Sequence, residues 1–551
     1  MDGSPHPTTA TRAALASAKP LRLLLLHPKT LIDSWPVPVD ALGEIVKFPS
    51  AVYPTLAAMI TDLPVSIDIF DGYVARCSFA SYKARLAAAD LIGISVMSPL
   101  KALDTELTLR LARTLNPNVR IILGGNHASA WPERWLGSGA DYVVQGEGEI
   151  PFRMLIEHLA LGLHTLDAIP NLYWRAGQAI QRSTAPLPAF NLDTAPLPLW
   201  RGVDLSRYGL GLSDGLAATV EFSRGCPHRC DFCNINTFWN HRQRTKSIPR
   251  MIEELEALRA RGVREFIFTD DNFGGDERRT IALLETMVER GLDMRFGCFL
   301  RGDTVHRHPA FATLAAKAGM RFCMMGIETL DAAWLRDHRK GVRAPDALAM
   351  YQSVYAALRS AGITVVGLFI LPPAATRGYA APKGLVGLVC DIAVEADLAA
   401  LKGSALHDTL AREGRVAKDM FYHDWNLPSI LLADGEVQRQ QKSIFDFLRA
   451  GLSPFILRTA ILGPPLVRRF RWRGIMLVAE RLACTTPRDL HRWYLARKPK
   501  LDQQQRQDRI IATVLGPTAV ARAQRRRFWR VPLALRNFSW RQTPRPAVQR
   551  D

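Results

Sequence analysis

From residue 21 to about 160 the chain alternates short apolar runs with stretches whose apolar positions recur every three or four residues. The runs are Leu21–Leu26, Val65–Phe70, Leu91–Val96, Val119–Leu123 and Tyr142–Val144. Short apolar runs of this length read as strands of a buried sheet. Lys101–Leu115 places Leu103, Leu107 and Leu111 along one side and reads as an amphipathic helix. Five such strands separated by helices predict an α/β domain over 20–160, built on a doubly wound parallel sheet. Ligands of such sheets lie beyond the carboxyl ends of the strands. Those ends read His27-Pro28, Asp71-Gly72, Ser95–Ser98, Gly124–His127 and Gly146–Glu149. Small and polar residues there suit tight turns, and equally an edge on which a large cofactor lies.

Residues 161–215 contain Pro170, Pro186, Pro188, Pro196 and Pro198 with little periodicity and read as a linker over a surface. A second alternation follows over 216–410. Its apolar runs are Ala218–Phe222, Glu265–Phe268, Met294–Leu300, Phe322–Ile327, Thr364–Leu371 and about Ala393–Leu401, with helices such as Ile252–Ala260 and Ala347–Leu358 between them. Six strands with helical crossovers predict a partial (β/α)6 barrel with its site at the strand C-termini. The connection from fifth to sixth strand is interrupted by Pro372, Pro373, Pro382, Gly378 and Gly384.

Composition changes the picture at one place. The 551 residues are 48% hydrophobic and 22% charged, which excludes collagen-like, low-complexity and wholly disordered chains. The net charge of +19 is uneven. Residues 1–450 hold 49 basic and 47 acidic side chains, whereas residues 451–551 hold 22 and 5. The basicity therefore describes an appendage. Residues 1–19 are rich in Pro, Thr, Ala and Ser and read as a disordered lead-in. Leu462, Leu466, Phe470, Ile475 and Val478 predict a basic helical region over 411–505, followed by a basic aromatic tail over 506–551. No run approaches a transmembrane length, and no secretory signal layout stands at the start, so a cytoplasmic protein is expected.

Eight cysteines are too few for a disulfide scaffold. Cys77, Cys298, Cys323, Cys390 and Cys484 are scattered and read as small buried hydrophobes. Cys226, Cys230 and Cys233 instead share one loop, directly after the first strand of the second domain, in Arg224-Gly225-Cys226-Pro227-His228-Arg229-Cys230-Asp231-Phe232-Cys233-Asn234. Three thiols at that spacing can converge on one metal centre, and thiolate is the soft ligand that zinc and iron–sulfur clusters prefer. A closed zinc site wants four ligands, for which His228 is a candidate. Three ligands on a four-iron cubane leave one iron open.

CxxxCxxC with the aromatic Phe232 before its last cysteine, on a loop after a first barrel strand, resembles the radical S-adenosylmethionine superfamily. That resemblance implies a 4Fe-4S cluster on Cys226, Cys230 and Cys233, whose open iron chelates the amino and carboxylate groups of S-adenosylmethionine. One-electron reduction then yields a 5′-deoxyadenosyl radical. Thr269-Asp270-Asp271-Asn272-Phe273 closes the second strand, where the family places polar contacts to the methionyl group. Gly326-Ile327-Glu328-Thr329 closes the fourth and resembles a recurrent family string. Arg301, after the third strand, is a candidate partner for a carboxylate or ribose because its fork suits planar anions. For Asp270, Asp271 and Arg301 a cap or a surface ion pair is the competing reading. Gly367-Leu368-Phe369-Ile370-Leu371-Pro372-Pro373 departs from the family's usual Gly-Leu-Pro-Gly ending, which leaves the far side of the pocket undefined.

The first domain resembles the cobalamin-binding domain of one branch of that superfamily, through Gly124-Gly125-Asn126-His127-Ala128-Ser129 with Pro132 and through Gly146-Glu147-Gly148-Glu149. The sheet then takes the flavodoxin-like form. The resemblance covers about residues 20–410. Ser95, Ser98, Gly124, Gly125, His127, Gly146 and Glu147 become candidates for cofactor contact. The Asp-x-His-x-x-Gly string that supplies a cobalt ligand in mutase-type domains is missing, so cobalamin would sit base-off; His127 is either a ligand or a residue that shapes its loop.

The resemblance implies an enzyme that methylates an unactivated carbon of a small hydrophobic or natural-product substrate. It implies in addition an external one-electron reductant of flavodoxin or ferredoxin type. The alternative within the family is an oxygen-independent cyclase resembling anaerobic Mg-protoporphyrin monomethyl ester cyclase. A reading of another class is a non-catalytic metal-binding or sensor protein. Arg468-Arg469-Phe470-Arg471-Trp472-Arg473 and Arg525-Arg526-Arg527-Phe528-Trp529-Arg530 interleave cations with rings and suit an anionic membrane surface. Peripheral membrane contact through 451–551 is therefore expected. Nucleic acid is disfavoured, because no nucleic-acid module is visible.

Overall fold

A computed structural model describes residues 20–28, 48–72, 79–210, 215–342, 347–371 and 385–416. The expectations for 1–19, for most of 411–505 and for 506–551 lie outside the described residues. So do Cys77, Cys484 and the residues 372–384 of the irregular connection.

The first apolar runs form strands β1 (Leu21–His27), β2 (Val65–Asp71), β3 (Leu91–Ser95), β4 (Arg120–Gly124) and β5 (Tyr142–Val144). They pair in parallel in the order β2-β1-β3-β4-β5, the flavodoxin-like arrangement. Alternate side chains of each strand serve two separate cores, as a sheet covered on both faces requires. Leu24, Leu26, Ile92, Ile94, Ile121 and Leu123 pack on one face. Leu23, Leu25, Leu91, Ile122 and Val144 pack on the other. The strand order reverses between β1 and β3, so the crevice opens at their carboxyl ends.

Within the stretch read as a linker over a surface, two strands extend the first sheet. Strands β6 (Leu172–Ala176) and β7 (Ala179–Arg182) form a hairpin that extends the sheet antiparallel from β5. Gly177, at φ +63°, starts the two-residue turn.

The second domain begins with β8 (Leu216–Val220). A short ribbon of β9 (Ser223–Arg224) and β10 (Arg244–Thr245) follows, flanking the cysteine loop. The remaining strands are β11 (Val263–Phe268), β12 (Arg295–Leu300), β13 (Met320–Glu328), β14 (Thr364–Leu371) and β15 (Ile392–Asp397). They run β8-β11-β12-β13-β14-β15, all parallel and in chain order, which is the predicted open six-stranded barrel. Helices Ile248–Ala260 and Glu277–Glu289 start on side-chain caps, Ser247 accepting from the Arg250 amide and Asp276 from the Arg279 amide. The outer face is one large core, with Phe266, Phe268, Phe273 and Phe296 in mutual ring contact. Cys298, Cys323 and Cys390 are buried apolar side chains, as expected. No helix among the described residues is long and apolar enough to cross a membrane.

Candidate active site

The carboxyl edges of the two sheets face one another across a cavity of about 640 Å³. Its walls combine Ser95, Ser98, Gly124, Gly125, Gly146 and Glu147 from the first domain with Glu221, Arg224 and Asp271 from the second. Six residues singled out on the first sheet edge thus meet one cavity. Glycine is required there by geometry: Gly125 holds φ +90°, and an added Cβ would stand 2.9 Å from the Ser95 hydroxyl and from the Val96 carbonyl oxygen. Such a cradle of bare backbone suits a broad, flat ligand.

His127 does not join this edge. It is buried, its Nδ1 accepts from Trp135 Nε1 at 3.2 Å, and its backbone amide donates to Val96 O at 2.9 Å. His127 is not among the residues that line the cavity, and its Nδ1 is taken by the Trp135 indole. Tyr53, which no pattern announced, does face the cavity; its hydroxyl donates to Leu26 O at 2.7 Å.

The cysteine loop leaves β9 through Gly225, at φ +83°, where a Cβ would strike the Arg242 carbonyl. Cys226, Cys230 and Cys233 lie close enough to influence one another electrostatically. Burial and the neighbouring sulfurs push the Cys233 thiol up to about 12, and burial raises Cys226. A metal that ligates them must displace those protons. Among the described residues no three Cys, His, Asp or Glu side chains gather around a point that would hold a single ion. Three neighbouring thiols on one loop supply the soft thiolate donors that an iron–sulfur cluster takes. His228 turns away to Asp303 Oδ2 at 3.9 Å, and burial and Arg301 depress its ring to about 4, leaving it neutral.

The two aspartates after β11 separate in role. Asp270 is buried, and its carboxylate accepts from the Phe222 amide (3.0 Å), the Ser223 amide (2.5 Å) and the Ser223 hydroxyl (2.6 Å). Asp270 does not line the cavity, and through these three donors it braces the entry to the cysteine loop. Burial raises it to about 7. Asp271 accepts from the Gly225 amide at 3.0 Å and still faces the cavity; burial raises it to about 6. Asn272 is 2% exposed and neither end of its amide finds a partner. An open buried amide costs roughly 1–3 kcal/mol, so Asn272 fits contact with a polar ligand.

The remaining candidates gather around the barrel mouth. Arg301 NH1 lies 3.8 Å from Cys230 Sγ. Glu328, at φ +62°, binds Lys340 Nζ at 2.6 Å. Phe232 packs its ring against Trp334 (centroids 5.7 Å apart) and His338 (6.4 Å).

Two contacts invisible to motif reading join the domains at the site. Arg224, two residues before Cys226, binds Glu149 and Glu221 (2.7 Å), with Glu147 3.5 Å away. Burial opposes the charge on Glu149, but Arg224 outweighs it and holds the carboxyl below its ordinary range. Beyond Cys233, the Asn234 and Asn126 side-chain amides bond reciprocally at 2.9 and 3.4 Å. The acidic pair in Gly146–Glu149 and the Arg before Gly225-Cys226 were the available signals.

Two family models match the chain: B12 binding domain over residues 52–156, and Radical SAM superfamily over residues 220–376. The chain thus carries a B12-binding domain followed by a radical SAM domain. It is 27% identical to a Pyrococcus horikoshii protein named an uncharacterized methyltransferase, over 57% of this chain and 68% of that one. It is 31% identical to the hopanoid C-3 methylase of Methylococcus capsulatus, over 48% and 49%. It is 26% identical to the anaerobic magnesium-protoporphyrin IX monomethyl ester cyclase of Rubrivivax gelatinosus, over 43% and 44%. The chain thus spans about two thirds of the first of these and under half of the other two. In fold it resembles the radical S-adenosylmethionine methyltransferase TsrM from Kitasatospora setae, solved with cobalamin and a [4Fe-4S] cluster: TM-score 0.56, 17% identity, 73% and 76% covered.

Proposed function

We propose that this chain is an enzyme that cleaves S-adenosylmethionine at a 4Fe-4S cluster on Cys226, Cys230 and Cys233, holds cobalamin in the crevice, and methylates an unactivated carbon of a small hydrophobic or natural-product substrate. The observation that carries the reading is the shared cavity, walled by Gly124, Gly125 and Gly146 on one side and by Arg224 and Asp271 beside the cysteine loop on the other. When bound, the cluster supplies the electron that opens the sulfonium and cobalamin supplies a transferable methyl group.

The chain's own residues position and enclose these groups. Gly125 and Ser95 give the crevice its bare backbone floor, while Asp270 and Asp271 fix the approach to Cys226 through the Phe222, Ser223 and Gly225 amides. Asn272 offers a donor and an acceptor to a polar ligand, Phe232 walls the mouth, and the Glu328–Lys340 pair lies at the end of β13. The reductant is a one-electron carrier of flavodoxin or ferredoxin type. We place the protein in the cytoplasm, with residues 451–551 docking it to anionic membrane.

Reconstituted protein, a one-electron reductant, methyl-labelled S-adenosylmethionine, ¹⁸O-water and a metabolite extract of the source cells test the reading by mass spectrometry. A product that gains the labelled methyl is expected. Oxygen gained from water without methyl label would sink it and favour the second reading, an oxidative cyclase, which the Rubrivivax relative favours.

A further inference from the structure

Arg301 follows β12 and is 7% exposed. Its fork is fully assigned. Nε and NH2 donate to the Asp303 carboxylate at 3.0 and 3.3 Å, and NH2 donates again to Lys340 O at 2.5 Å. These tethers leave NH1 aimed at the sulfur of Cys230, 3.8 Å away. The carboxylate partner expected for this residue is thus supplied within the chain, and the free edge of the guanidinium faces a cluster ligand. Asp303 also meets Arg307 at 3.3 Å and His228 at 3.9 Å. Arg307 therefore takes a share of its negative charge, the neutral His228 ring takes none, and Arg301 keeps a net positive field toward the sulfur.

We propose that Arg301 sets the reduction potential of the cluster by donating to the Cys230 thiolate, rather than by binding the carboxylate of S-adenosylmethionine. The inference rests on the assignment of the cluster to the three cysteines. Reduction adds one electron to the cluster, taken from a flavodoxin- or ferredoxin-class donor that is oxidised by one; no proton leaves Arg301. A charge-assisted donor at a ligand sulfur draws density from it and stabilises the more negative, reduced form. The burial that excludes water from the guanidinium strengthens the effect. Lysine at this position would keep the charge but offers no planar fork to span Asp303, Lys340 O and Cys230 together.

The full chain and its Arg301→Gln and Arg301→Lys variants are reconstituted anaerobically with iron and sulfide. Both are counted, and the midpoint potential is read by EPR during dithionite titration before S-adenosylmethionine is added. The expected result is wild-type iron content in both variants, with the potential displaced downward, further in Arg301→Gln than in Arg301→Lys. An Arg301→Gln cluster at full iron content and wild-type potential overturns the inference. Should Arg301→Gln take up no iron, an Arg301→Lys cluster with unchanged potential overturns it equally. A wild-type chain that binds no iron and sulfide refutes the cluster assignment itself, a result distinct from an unmoved potential.

Discussion

Gly124 and Gly125 are neighbours on the same cavity edge, yet alanine should act very differently at the two. Gly125 has φ +90° and ψ 173°, a region open to glycine alone, where a side chain costs about 1–3 kcal/mol. Its Cβ would also stand 2.9 Å from Val96 O. That oxygen cannot retreat freely, because it accepts the His127 amide at 2.9 Å; overpacking of this kind adds about 1–3 kcal/mol. With partial relaxation Gly125→Ala should cost about 2–4 kcal/mol. For a domain of this size that lowers the melting transition by about 5–15 °C. At Gly124 the nearest atom to a new Cβ is Val144 O at 3.8 Å, an ordinary contact. Gly124→Ala should therefore melt within about 2 °C of wild type and weaken hydroxocobalamin binding by intruding on the cavity. Calorimetry of the full chain, with spectrophotometric hydroxocobalamin titration, reads both. Equal melting of the two variants would refute the argument from backbone geometry.

Other consequences follow from the contacts between the domains. Glu149, held ionised by Arg224, contributes stability that is full above its ordinary carboxylate range and is lost as pH falls through its depressed value. Glu149→Gln should therefore be less stable at neutral pH and show a shallower acid limb in pH-dependent melting; an unchanged limb would refute the pairing. Asn234→Ala removes one half of the reciprocal amide pair with Asn126 and should cost about 0.5–1.5 kcal/mol. Asn126→Ala should cost a similar amount, and the double variant should cost less than the two together in a melting cycle. Truncation near residue 505 should preserve S-adenosylmethionine cleavage while reducing cosedimentation with phosphatidylserine vesicles. Loss of cleavage in a folded truncation would join the basic tail to the site.

The two sheets were legible because most of their strands are buried on both faces and therefore appear as short, mostly apolar runs; the edge strand β2, with Ser66 and Asp68 exposed, alternates instead. The β6–β7 hairpin was not, since every residue of Ala179–Arg182 is exposed and carries no burial pattern; the turn at Gly177-Gln178 was its one local cue. At the site, motif spacing located the loops but not the direction of each side chain. Asp270 and Asp271 are adjacent, yet the Phe222 and Ser223 amides capture one while the other reaches the cavity. His127 reads as either a ligand or a residue that shapes its loop, and the sequence gives no sign that Trp135, eight residues on, takes its Nδ1. Arg224 and Asn234 flank the cysteine motif, but their partners Glu149 and Asn126 lie 75 and 108 residues away. Pairings at such separations leave no local periodicity.

The central claim is that Cys226, Cys230 and Cys233 hold a cluster that cleaves S-adenosylmethionine. It is tested most directly by 5′-deoxyadenosine formation in the anaerobically reconstituted chain, with alanine variants of each cysteine alongside. The account predicts a cubane spectrum and a 5′-deoxyadenosine yield that requires dithionite and disappears in every cysteine variant. Stoichiometric zinc with no cleavage would contradict it and leave a metal-binding protein without this chemistry.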